Sequence, residues 1–167
     1  MEIVYIETSV VSLLVANPSR DLASAARQQA THDWWSLRRG LFHCVTSDET
    51  LTEAARGDAT QAGLRLAALA NLPALAITEE AEDLAAEFLR TGALPAAARS
   101  DALHLAVASG ARADYRLTWN CRHLANAQIL RRLEREAIRQ GWALPTVCTP
   151  LELMGDSPYE NEIGTDS

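Results

Sequence analysis

Four side chains with acid or amide oxygens stand where apolar runs end or helices turn inward. They are Glu7 in Tyr5-Ile6-Glu7-Thr8-Ser9, Glu53 in a run starting at Ser47, Asp101 in Ser100-Asp101-Ala102-Leu103-His104, and Asn120 in Thr118-Trp119-Asn120. A carboxylate beside buried apolar chains is unfavourable unless a positive group joins it, and a divalent cation is one such group. Phosphodiester hydrolysis needs an activated water, relief of charge on the phosphoryl oxygens and support for the leaving oxygen. Mg²⁺ or Mn²⁺ can meet all three needs. These hard cations take oxygen ligands, so Glu7, Glu53 and Asp101 are the expected metal ligands, with Asn120 as a neutral fourth member of the catalytic set.

Each residue also has a plainer reading. Glu7 could be a solvated strand end, and Glu53 could pair with Arg56 three residues on along a helix surface. Asp101 could be a structural carboxylate and Asn120 a helix cap. His104, one turn after Asp101, reads as a packed or hydrogen-bonded helix histidine rather than a base. Cys121 and His123 resemble a fragment of a zinc motif without its partners, and there is no Gly-rich phosphate loop. Trp34 and Trp35 could stack on bases, with at least one expected in the core.

The elements that would position these groups follow from the pattern. Residues 2–6 form a β-branched and aromatic run, an expected buried strand, after which Thr8 and Ser9 offer hydroxyl caps for a helix to about Ala16. A second helix is expected from Pro18-Ser19 to Gly40, then a strand over 41–45 and a helix capped by Ser47 or Asp48 that carries Glu53. Helix, short strand and helix follow over 59–71, 75–77 and from Thr78. A helix from about Ala96 to Ser109 puts Asp101 on the apolar face of Ala97, Ala98, Leu105 and Ala108. The strand 115–118, a helix over 120–140 and a strand at 146–148 complete the order. Strands alternating with helices predict a three-layer α/β/α sandwich with a mainly parallel sheet. Sites in such sheets form beyond the carboxyl ends of the strands, where Glu7 and Asn120 both emerge.

At 167 residues, 48% of them hydrophobic, the chain suits one domain, assigned to residues 1–154. Residues 155–167 read as an acidic, flexible tail. Four of its acids account for more than half of the net charge of −7. No apolar run is long enough to span a bilayer, no signal peptide is evident, and three cysteines without CxxC pairing argue against a disulfide framework. A reduced cytoplasmic protein with no membrane partner is expected.

Taken together, Tyr5-Ile6-Glu7-Thr8-Ser9, Glu53 with Gly57-Asp58, Asp101-Ala102-Leu103-His104, and Leu117-Thr118-Trp119-Asn120 with His123 and Asn126 resemble the PIN-domain family. Its VapC-like toxins of toxin–antitoxin pairs are the nearest likeness, over roughly residues 2 to 153. The resemblance implies a Mg²⁺- or Mn²⁺-dependent endoribonuclease with Glu7, Glu53 and Asp101 as metal ligands. It also implies Thr8 or Ser9 placing a phosphate or metal-bound water, a cognate antitoxin covering the groove, and a homodimer. Glu7 stands where the family pattern has Asp, and Asn120 where many members have a fourth acid. A PIN-like binding module with little catalysis, and a DNA-directed nuclease of similar architecture, are the competing expectations.

Overall fold

The computed structural model describes residues 1–120 and 127–155. Five strands, β1 (Ile3–Ile6), β2 (His43–Ser47), β3 (Ala74–Leu75), β4 (Tyr115–Leu117) and β5 (Thr146–Cys148), form one sheet in the order β3-β2-β1-β4-β5. Every pairing is parallel. The α-helices among the described residues are α1 (Thr8–Val15), α2 (Leu22–Asp33), α3 (Asp48–Ala54), α4 (Ala59–Leu69), α5 (Glu79–Arg90), α6 (Arg99–Gly110) and α7 (Ala127–Arg139). The three-layer α/β/α sandwich expected from the alternation of elements is the fold observed.

Parallel strands are covered on both faces by their crossover helices, and the pleat sends successive side chains to opposite layers. Val4, Ile6 and Cys44 accordingly pack with Val10, Val11, Trp34, Ala54 and Leu69. Tyr5 and Val45 point the other way, into Leu84, Phe88, Leu105, Leu133 and Ala137 from α5, α6 and α7. Chain order runs outward from β1 through β2 to β3, then returns to place β4 on the other side of β1. That reversal is the switch point at which an open parallel sheet leaves a crevice at its carboxyl edge.

Local differences from expectation have identifiable causes. The N-cap of α1 is Glu7 rather than a hydroxyl residue: its carboxylate accepts from the Ser9 amide at 3.1 Å. The second helix is capped by Asp21 and its α-helical part stops at Asp33; a π turn over Trp34–Arg38 and a 3₁₀ turn over Arg39–Leu41 complete the path to β2. The wider turn accompanies a fully buried Trp34 stacked on Phe42 at 6.0 Å. Strand β2 begins two residues later than the apolar run suggested and takes in Thr46 and Ser47, because buried hydroxyls find partners there. Thr46 Oγ1 donates to the Ile6 carbonyl at 3.0 Å, and Ser47 Oγ caps α3. Residues 96–98 form a 3₁₀ turn ahead of α6. The expected tail, Cys121, His123 and Asn126 lie wholly or mainly outside the described residues. Among the described residues no helix is long and apolar enough to cross a membrane.

Candidate functional site

The crevice at the carboxyl edge holds the expected residues. Glu7 directly follows β1, and the register pairs Ile6 with Leu117, so Glu7 and Thr118 leave adjacent strands side by side. Thr118 Oγ1 donates to Glu7 Oε1 at 2.9 Å, and the same oxygen accepts from the hydroxyl of Ser9. Asp101 comes in from the first turn of α6 and Glu53 from α3. Glu7, Glu53, Asp101, Asn120, Ser100, His104, Ala97 and Ala98 line one cavity of about 300 Å³. A larger cavity of about 1020 Å³, between the α6–β4 turn and Trp142, contains none of these residues.

Burial is pronounced. Glu7 is 5% and Asp101 7% exposed, which rules out the solvated strand end for Glu7. Glu53 does not pair with Arg56; it turns inward to meet His104 Nε2, with Thr8 Oγ1 at 3.1 Å on the same oxygen and Ser100 Oγ at 3.2 Å on the other. Burial acts most strongly on its pKa and raises it. The hydrogen bonds and the charge of His104, helped by Thr8 and Ser100, outweigh burial and hold the carboxyl below its ordinary range.

Asp101 has a positive partner within the chain. Arg116, fully buried in β4, donates from one terminal nitrogen to Asp101 Oδ1 at 3.2 Å and from the other to the Asp101 carbonyl at 3.1 Å. Asn120 Nδ2 adds a bond to the same carboxylate oxygen at 3.0 Å. The amide at position 120 therefore donates to Asp101 and orients its carboxylate. Ser9 and Thr8 each hold a site carboxylate: Ser9 binds Glu7 and also accepts the Trp119 amide at 2.8 Å, whereas Thr8 binds Glu53. Trp119 stands at the rim, its indole N–H donating to Thr31 Oγ1 at 2.8 Å and its ring under the Arg27 guanidinium at 5.8 Å.

Sequence reasoning named His104 but set it aside, and it gave no role to Arg116, Thr118 or Tyr5. His104 is 1% exposed and bridges Glu53 to the Tyr5 hydroxyl, which lies 2.6 Å from Nδ1. A signal for Arg116 was present: a charged residue in the middle of a buried parallel strand requires an acid from the layer it faces.

A hard cation fits part of this donor set. Among the described residues Glu7 receives only neutral donors, all on Oε1, and Glu7 Oε2 and Asp101 Oδ2 accept no hydrogen bond. Glu7 and Asp101 line one cavity together with a third acid and no thiol. Among the described residues no three acidic, histidine or cysteine side chains come together as a ligand set, and both oxygens of Glu53 are engaged by His104, Thr8 and Ser100. Compared with known proteins, the chain matches no family model and no curated sequence.

Proposed function

We propose that the chain is a Mg²⁺- or Mn²⁺-dependent endoribonuclease of the PIN-like kind. The observation that carries this reading is Glu7, a nearly buried carboxylate that has no cationic partner among the described residues and lines the same cavity as Asp101 and Glu53. An acid so placed calls for a positive ligand. Glu7 and Asp101 would hold the ion, and Glu53 would join them if it exchanges its His104 bond for the metal. When bound, the cation supplies a water of lowered pKa and neutralises charge on the phosphoryl oxygens. Ser9 and Thr118 hold Glu7 Oε1 and so aim its other oxygen. Asn120 and Arg116 do the same for Asp101, and Ser100 and Thr8 fix Glu53. The action as a toxin with a cognate antitoxin, and a homodimer, are carried by the resemblance to VapC-like toxins.

The test is cleavage of single-stranded RNA with Mn²⁺ by the unmodified chain, by Glu7→Gln and by Asp101→Asn. Both variants keep acceptors for their hydrogen-bond partners and are expected to lose most cleavage. Full activity in excess EDTA, or in either variant, sinks the reading. Single-stranded DNA under the same metal and salt separates the DNA-directed alternative.

A second reading has its own support. Arg116 and His104 already stand against two of the three acids, and Asn120 is committed to Asp101. A PIN-like RNA- or protein-binding module with weak or no catalysis would need no more positive charge than this. It predicts RNA or protein association without metal-dependent turnover.

A further inference from the structure

The basic residues on α7 form a ridge. Arg131, Arg132, Arg135 and Arg139 are all exposed, while Leu133, Glu136 and Ala137 of the same helix are buried. Spacings of three and four residues set the arginines along one side of the helix, over about 12 Å at 1.5 Å per residue. Like charges at this spacing repel, and little offsets them. Arg139 has Glu136 at 3.5 Å. Among the described residues Arg131, Arg132 and Arg135 form no ion pair, and Glu134 is the one exposed acid of α7.

The ridge borders two shallow cavities that share Arg132 and Arg135. One, of about 330 Å³, adds Gln128 and Arg131; the other, of about 170 Å³, adds Arg139, Glu136, Thr91 and Ala93. Ala93 belongs to the stretch between α5 and α6 whose Ala97 and Ala98 line the acid cleft. A single short segment therefore joins the floor of the arginine groove to the wall of the candidate site.

We propose that the α7 ridge binds the backbone phosphates of the single-stranded RNA whose scissile bond enters the cleft. This rests on the nuclease reading and adds to it the surface that holds the substrate. The planar guanidinium pairs with phosphate oxygens through two parallel N–H donors. In a chain with a net charge of −7, a polyanion needs such a local positive field to approach an acidic cleft. An acidic peptide meets the same charge, but these grooves are lined by arginine, Gln128, Glu136, Thr91 and Ala93 and offer no pocket for large apolar side chains.

The experiment is fluorescence anisotropy of a labelled single-stranded RNA against the full chain in EDTA over a range of salt. The Arg131→Gln/Arg135→Gln variant is compared with Arg20→Gln/Arg112→Gln, which removes equal charge at positions lining neither the cleft nor the ridge. The ridge variant is expected to bind about tenfold more weakly at low salt. Its log–log salt slope should flatten by about 1.4, two contacts at ~0.7 each, with the control pair near the unmodified chain. Equal losses in both pairs, unchanged binding in the ridge pair, no RNA binding by the unmodified chain, or displacement of an acidic peptide but not RNA by the ridge substitutions would each overturn the proposal. Because binding is read in EDTA, absent cleavage with Mn²⁺ in a parallel assay reports on the nuclease reading separately.

Discussion

The Tyr5 hydroxyl and His104 Nδ1 stand 2.6 Å apart in the interior, joined across 99 residues of sequence. His104 turns its other nitrogen to Glu53. The Tyr5 hydroxyl also meets Ser47 Oγ at 2.7 Å, so a strand residue fixes the ring that fixes a site carboxylate. Tyr5→Phe removes that anchor and leaves buried polar groups short of a partner. A loss of about 1–3 kcal/mol is expected, read by urea unfolding, together with a shift in the pH at which Glu53 titrates, read by carboxyl NMR.

Burial pushes the Tyr5 phenol up to about 12, against weaker opposing effects from Ser47 and Thr50. A raised folded pKa means that the stabilisation linked to the protonated phenol is complete below pH 10, the ordinary tyrosine value. It is lost as pH rises toward 12. Alkaline unfolding midpoints should fall across that interval in the native chain and less steeply in Tyr5→Phe.

Glu53 has the opposite sign. Its carboxyl is held below the ordinary range in the folded state, so its contribution is present above the unfolded carboxylate pKa and disappears as pH falls through the folded value. Glu53→Gln should flatten the acid limb of a stability–pH profile. It should also weaken Mn²⁺ binding measured by calorimetry, if Glu53 joins the metal.

The buried pair Arg116–Asp101 yields a double-mutant cycle. Arg116→Leu strands Asp101 without its guanidinium and is expected to destabilise by about 3–5 kcal/mol. Combining it with Asp101→Asn should be milder than the sum of the two single changes. Strict additivity in denaturant unfolding would mean that the ion pair contributes no coupling.

Glu7 has two roles that substitutions can separate. Glu7→Ala removes the N-cap of α1, at a cost of about 1 kcal/mol. Glu7→Gln keeps an acceptor for the Ser9 amide. The glutamine variant should therefore retain near-native stability while losing cation affinity, whereas a variant that retains full Mn²⁺ affinity would remove Glu7 from the metal site.

Much of this site is legible in the sequence where a single periodicity suffices. The apolar run through Ile6 places Glu7 at a strand end, and Leu105 and Ala108, four and seven residues on, share the buried face of Asp101, although Ala97 is exposed and, with Ala98, lies in the 3₁₀ turn ahead of α6. What stays hidden depends on pairing between distant elements. Nothing local to Glu53 distinguishes an Arg56 partner from His104, since α3 must first be laid against α6 for the imidazole to arrive. Arg116 likewise looks anomalous in its strand until α6 supplies Asp101. The π turn after Asp33 is a packing outcome set by where Trp34 finds room beside Phe42, and helical periodicity carries no trace of it.

Strand β1 lies at the middle of the sheet, yet its neighbour β4 arrives more than a hundred residues later in the chain. During synthesis, Glu7 therefore leaves the ribosome long before Thr118, Asn120 or Arg116 exists to hold or complement it. Contacts closed across such separations form late. A still-growing polypeptide then carries Glu7 without the crevice around it, and whatever chemistry the cleft performs is withheld until β4 and the residues after it have been made.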